Sequence, residues 1–308
     1  MEEETKLNLL KKIKKSHLDF EEAFGFPCIF YHIKQSSGKG LDRSDLQVLR
    51  QLLSQKVNRK IGLVLRIPGG EVGASYRMAK TLGAFTSGYQ LFVPELCISA
   101  GTILALGADA IHLSTIAEMG PIDPQITIQR DGHIIATYSA HDVLSVPNNI
   151  KKMCDKKVSS TASTLYFEAL FRESSPIHLG KLFSSLEFVE KISLELIRNQ
   201  LPNTDAKTLE SIVQILIEGY PVHDYPLYAS DLKKIGLNIY FFDTKIELLL
   251  NNMMLAVKYL YQIEEKSYAA LFSSSEKLFF NLSGNVRTTE ITEEYIQAEF
   301  NWVECDEY

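Results

Sequence analysis

No stretch of this 308-residue chain strings together the ~18 consecutive apolar residues that a helix needs to cross a bilayer. The opening segment, MEEETKLNLLKKIKK, mixes acidic, apolar and basic positions as an amphipathic helix does, and lacks the uninterrupted apolar run of a signal peptide. A soluble, cytoplasmic protein with no membrane partner is the expectation. Basic charge is short as well: 32 lysines and arginines stand against 38 aspartates and glutamates, a formal net charge of -6. No positive field is left over to hold a phosphate backbone, which argues against nucleic acid as a partner. Cysteine is scarce. Cys28, Cys97, Cys154 and Cys305 are scattered without C-x-x-C spacing, so neither a zinc site nor a disulfide framework is expected.

What is present suits an α/β protein. With 45% hydrophobic and 23% charged residues, the chain can bury a core for one large domain or two modest ones. Segments 27–33, 61–67, 89–93 and 110–113 are short, apolar and rich in β-branched or aromatic residues, as buried parallel strands are. Helical periodicity fills the gaps, in Leu46 to Leu53, Val72 to Phe85 and Ala100 to Ala108. Alternating strand and helix predicts right-handed crossovers around a mostly parallel sheet. From about 140 to 219 helical patterns take over, notably at 157–171 and 177–200, the latter opened by Ser175 and Pro176.

Strand character returns at 237–242, followed by a helix at 244–262, a strand pair within 267–281 and an acidic tail carrying Tyr295, Phe300 and Trp302. The expected division is an N-terminal helix over 1–24, a main domain over 25–243 with a mainly helical part at 140–219, and a C-terminal extension over 244–308.

Three loops carry residues suited to chemistry. Arg66-Ile67-Pro68-Gly69-Gly70-Glu71 joins a strand to a helix, and two glycines there let backbone amides face a ligand. A tight turn explains the same pair. Cys97-Ile98-Ser99-Ala100-Gly101-Thr102 places a serine at the start of a small-residue helix, where the Ala100 amide can donate to a developing anion. A serine N-cap is the plainer alternative. Gly120-Pro121-Ile122-Asp123-Pro124-Gln125 brackets an acid with prolines; Asp123 suits either the orienting of a catalytic group or the capping of its own turn. His223-Asp224, ahead of Tyr225-Pro226 and a helix, reads as a capping turn.

The order of strand, P-G-G, helix, strand, S-A-G-T, small-residue helix, A-D-x-I strand and G-P-I-D-P-Q loop resembles the serine dehydrogenase proteinase family. That family is related to signal peptide peptidase A and more remotely to Clp protease. Gly219 to Leu227 and Ile235-Gly236-Leu237 resemble its later H-D-Y-P and G-L segments, so the likeness runs from about 25 to 245. It implies a Clp/crotonase fold of repeated ββα units around a mostly parallel sheet, with a helical subdomain and a C-terminal extension.

For function, it implies a serine peptidase needing no cofactor or metal, with Ser99 as nucleophile and the amides of Gly69, Gly70 and Ala100 as oxyanion hole. A polypeptide substrate, a homo-oligomer and a regulatory protein partner follow from the same likeness. Lacking a recognisable nucleotide-binding loop, the chain would need another protein for energy-dependent unfolding.

A serine hydroxyl needs a base. Signal peptide peptidase A-like enzymes draw a lysine from well downstream, and Lys151 and Lys152 follow Ser99 by about fifty positions. Lys156 and Lys157 are rivals in a run that also reads as a solvated face. Lys181 sits early in the 177–200 helix beside Leu179, Leu182 and Phe183, and the family has a lysine in the comparable helix. His112, the nearest histidine after Ser99, falls within a strand and is not chosen. Two other functions stay open: crotonase-like acyl-thioester chemistry, which uses the same pair of amides, and an inactive scaffold or partner-binding subunit.

Overall fold

In the computed structural model, the described residues are 2–34, 38–53, 59–130, 133–143, 145, 164–165, 168–169, 176–263, 268–273, 278–282 and 288–291. Four central strands, β1 (Cys28–Ile33), β2 (Ile61–Arg66), β3 (Tyr89–Val93) and β5 (Ala110–Leu113), pair in parallel, and β9 (Ile239–Phe241) extends them beyond β5. On the other side β10 (Tyr268–Ser273), β11 (Leu278–Leu282) and β12 (Thr288–Ile291) add to β1 as an antiparallel run. The result is the mostly parallel α/β sheet expected of a Clp-like fold.

Alternation along each strand decides which helices cover which face. Tyr31, Leu63, Leu65, Leu91, Val93 and Ile111 point into the larger core. There they meet α2 (Arg43–Leu52), α3 (Val72–Phe85), α4 (Ala100–Leu106), α5 (Pro176–Gln200), α6 (Ala206–Glu218) and α7 (Ala229–Lys234). Phe30, Val64 and Phe92 point the other way, against α1 (Glu2–Phe24) and α8 (Thr244–Ile263). Each such Leu, Ile or Phe removed from water contributes about 1.5–3 kcal/mol, so the two-faced strands anchor the fold. Phe20 and Phe24 meet the Phe92 ring edge-on, at centroid distances of 5.1 and 4.5 Å.

Two small strand pairs sit outside this sheet. β4 (Leu96–Cys97) pairs in parallel with β6 (Glu118–Met119), while β7 (Gln125–Arg130) and β8 (His133–Ser139) form an antiparallel hairpin where the sequence reading placed no strands. The helix expected at 157–171 lies largely outside the described residues, as does most of the acidic tail. Among the described residues no helix is long and apolar enough to cross a membrane.

Candidate active site

The chain leaves β2 through Ile67, which stays extended by pairing with the β4 segment: Ile67 N–H donates to Leu96 O at 2.9 Å, and Ile98 N–H to Ile67 O at 3.3 Å. Pro68 then leads into Gly69 and Gly70, whose φ values of 122° and 145° L-side chains rarely adopt. On one edge this turn is gripped by Leu41. The Leu41 amide donates to Gly69 O at 2.8 Å and its carbonyl accepts from Glu71 N–H at 2.7 Å. Leu41 is held in turn by the capping box that starts α2, where the Asp42 carboxylate accepts from Ser44 N–H at 2.7 Å and Asp45 accepts from Asp42 N–H at 2.9 Å. With Gly69 and Glu71 bonded to Leu41, alternation turns the Gly70 amide toward the opposite side. It donates to no described residue.

Ser99 lies beside this turn. A Cβ on Gly69 would sit 3.3 Å from Ser99 Cβ and 3.7 Å from its Oγ. Ser99 is the only non-glycine residue with positive φ among the described residues, at φ 53°, ψ -114°. Such a conformation costs of order 1–3 kcal/mol and persists only where the surroundings impose it. Here they do. Gly101 lets α4 press onto Cys97 and Ile67, Thr102 Oγ1 donates to Gly120 O at 2.8 Å, and Ser75 Oγ on α3 donates to Ala100 O. Ser99 occupies the N-cap position of α4 yet makes no side-chain cap bond, so the hydroxyl is not spent on the helix. The Ala100 amide, next along, has no described acceptor either.

The third loop is tied to a distant part of the chain. Met119 pairs with Leu227 through mutual backbone bonds of 3.0 and 2.9 Å, and Ile122 N–H donates to Leu216 O at 3.0 Å. This zipper sets His223 against Asp123, with His223 Nδ1 donating to Asp123 Oδ1 at 2.7 Å. Asp123 is buried, and its other oxygen accepts no hydrogen bond from a described residue. Burial alone would pull the His223 pKa down. The hydrogen bond and charge of Asp123, joined by the charge of Asp224, outweigh it and raise the value above the ordinary 6.5.

A cavity of about 440 Å³ brings these parts together: Gly69, Gly70, Ser99, Asp123 and His223 all line it, with Ser185, Phe188 and Val189 of α5. No described residue bonds to the Ser99 hydroxyl. Catalytic contacts in unliganded sites are often long and close only around substrate. Among the described residues no group of three or more His, Cys, Asp or Glu side chains gathers to hold a metal.

The lysines fall elsewhere. Lys151, Lys152, Lys156 and Lys157 lie outside the described residues, and Lys181 is exposed on α5, one turn before Ser185, without lining the cavity. His112 sits on β5 as read from sequence, bonded through Nε2 to Gln90 at 2.7 Å and stacked on Phe92. Burial lowers its pKa to about 4. The capping role read for His223-Asp224 does not hold. The helix that follows begins at Ala229 with Tyr228 as N-cap, and His223 turns to Asp123 instead.

Known proteins bear on this arrangement at several depths. Two uncharacterized proteins of Methanocaldococcus jannaschii, MJ0137 and MJ1495, are 27% and 26% identical to the chain over 193 residues. That stretch is 63% of this chain in both cases, and 58% and 56% of the relatives, so the chain spans little more than half their length. Two solved structures of the 1510-N membrane-bound stomatin-specific protease also align. One is a serine-to-alanine mutant, covering 73% of this chain and 81% of its own; the other is a lysine-to-alanine mutant with a substrate peptide, covering 85% and 84%. Both are 16% identical with a TM-score of 0.35. Over residues 35–170, which hold the glycine turn, Ser99 and Asp123, the chain matches the ClpP-like SDH-type serine proteinases, the family its motifs resemble.

Proposed function

We propose that the chain is a serine peptidase in which Ser99 is the nucleophile, His223 the general base and Asp123 the group that orients and charges His223. The observation that carries this reading is the single cavity lined by Ser99, the Gly69-Gly70 turn and the hydrogen-bonded His223–Asp123 pair. Neutral His223 takes the Ser99 proton as Oγ bonds to the peptide carbonyl carbon. The oxyanion that forms is held by the Gly70 and Ala100 amides, which have no described acceptor of their own. His223 then gives its proton to the leaving amine, the C–N bond breaks, and an acyl-serine remains. Water, deprotonated by the same imidazole, hydrolyses that ester and restores the hydroxyl.

A lysine base is the competing assignment, with Lys151, Lys152 and Lys181 as its candidates. His223 is preferred because it lines the cavity and already has an orienting carboxylate. The match to a serine proteinase family supports hydrolysis over acyl-thioester chemistry or a scaffold role. A fluorophosphonate probe decides the core of the proposal. Labelling should vanish in Ser99→Ala, fall steeply in His223→Ala and persist in Lys151→Ala, Lys152→Ala and Lys181→Ala. Undiminished labelling of Ser99→Ala would remove the serine from the mechanism. We further propose a cytoplasmic homo-oligomer that acts on polypeptide under the control of a protein partner; a monomer by light scattering at micromolar concentration would count against the assembly.

A further inference from the structure

We infer that the cavity selects peptides carrying a lysine or arginine beside the scissile bond, an inference that rests on the reading of Ser99 as nucleophile. Every charged side chain lining the cavity among the described residues is acidic except the His223 imidazole: Glu71, Asp123 and Asp224 are there, and no lysine or arginine is. Asp123 is committed to His223 through one oxygen, so the imidazolium formed during catalysis is already balanced. Glu71 is left over, and Asp224, whose charge also acts on His223, enters no described ion pair.

Their placement is informative. Glu71 directly follows Gly70 and Asp224 directly follows His223 in sequence, and both line the cavity that holds Ser99. Glu71 holds the N-cap position of α3 but makes no side-chain cap bond, and it is an exposed residue of the lining. Asp224 is exposed as well. Asp123, the third acid of the lining, is buried and its second oxygen has no donor among the described residues.

Val72, Phe188 and Val189 supply apolar wall in the same cavity. A long basic side chain matches such a site, since its methylene stem packs on apolar surface while its head reaches carboxylates. Acid-lined clefts with low-dielectric walls concentrate cations and focus their field. The lysines of α5 nearest in sequence to these lining residues, Lys181 and Lys191, are exposed and outside the lining.

The test uses the full chain and a matched pair of peptidyl phosphonate diphenyl esters that differ only in lysine against norleucine at the reacting residue or its neighbour. The readout is the ratio of their labelling rates at Ser99, with Ser99→Ala as blank. A preference of about tenfold for lysine is expected at low salt, shrinking several-fold at about 0.5 M salt and falling toward one in the double variant E71Q/D224N. A ratio at or below one in the unaltered protein, or a preference unmoved by that double variant, overturns the inference. A small uncharged fluorophosphonate separates the two levels: if it labels Ser99 and the lysine preference is absent, only the specificity fails, whereas no labelling by any phosphonate defeats the nucleophile and the specificity together.

Discussion

His223 and Asp123 stand 100 residues apart in sequence and 2.7 Å apart in space, imidazole Nδ1 to carboxylate Oδ1. With Nδ1 committed as a donor, Nε2 is the nitrogen left to take a proton, which is the tautomer a serine base requires. The carboxylate is buried, so the ring is held by a partner that water does not screen.

Removing either member should therefore cost rate more than binding. His223→Ala and Asp123→Asn are each expected to lower kcat/KM by about 10³–10⁴-fold, mostly in kcat, on any peptide the enzyme cleaves. His112→Phe should leave peptide turnover unchanged, because that imidazole, on β5, is stacked on Phe92 and bonded to Gln90 of the neighbouring β3. Steady-state kinetics of the three variants, each checked for folding by circular dichroism, measures both statements. Full activity in His223→Ala would return the base to the lysines.

The raised pKa of His223 has opposite consequences for activity and for stability. As the proposed base it must be neutral, so kcat/KM should rise with pH through an apparent pKa above the ordinary 6.5, and Asp123→Asn should move that midpoint down. For folding the sign reverses. A histidine whose folded pKa exceeds its unfolded value adds stability that is complete below the unfolded pKa and is lost as pH climbs through the folded one. A pH–rate profile and a denaturant titration series across the same window test the pair of trends; a kinetic midpoint unmoved by Asp123→Asn would detach the carboxylate from the base.

The uneven legibility of this chain follows from the range of the interactions involved. β2, β3 and β5 end within a residue of their expected places because burial on both faces makes each a short apolar block that nothing else resembles. α3 begins at Val72 because Gly69 and Gly70 must turn first. The β7–β8 hairpin was missed in the sequence, although Ile126 and Ile128 alternate with polar residues as half-buried strands do. His223 was not readable in the same way. Its role depends on the Met119–Leu227 pairing, a contact between distant segments that no local pattern encodes. Ser99 fell between: position and neighbours suggested a nucleophile or a cap, and only its backbone angles and uncommitted hydroxyl separate the two.

Gly40 and Gly70 form a second dependent pair. A Cβ at Gly40 would come within 2.7 Å of Gly70 Cα, and one at Gly70 would overlap the backbone of Leu41. Gly70 also carries a φ of 145°, which a side chain strains even with room to spare. Gly70→Ala should therefore destabilise the fold by about 3 kcal/mol or more. Gly40→Ala should cost less in stability but shift the turn that presents the Gly70 amide, lowering kcat while the protein remains folded. Urea denaturation and peptide kinetics separate these outcomes, and a Gly40→Ala enzyme with unaltered kcat would argue that the amide is not held by this contact.

Strain at Ser99 predicts a stability gain when function is given up. Relieving its positive φ with glycine releases about 1–3 kcal/mol, while the added freedom of the unfolded chain takes back about 0.4–1 kcal/mol. Alanine keeps the Cβ and so keeps the strain. Ser99→Gly should thus be the more stable of the two inactive variants, by about 1 kcal/mol, which for a chain of this size raises the melting midpoint by about 2 °C or more. Differential scanning calorimetry on Ser99→Gly, Ser99→Ala and the unaltered protein makes the comparison. If Ser99→Gly melts at or below Ser99→Ala, the backbone at the nucleophile stores no usable strain, and the turn would have to be held for reasons other than the presentation of its hydroxyl.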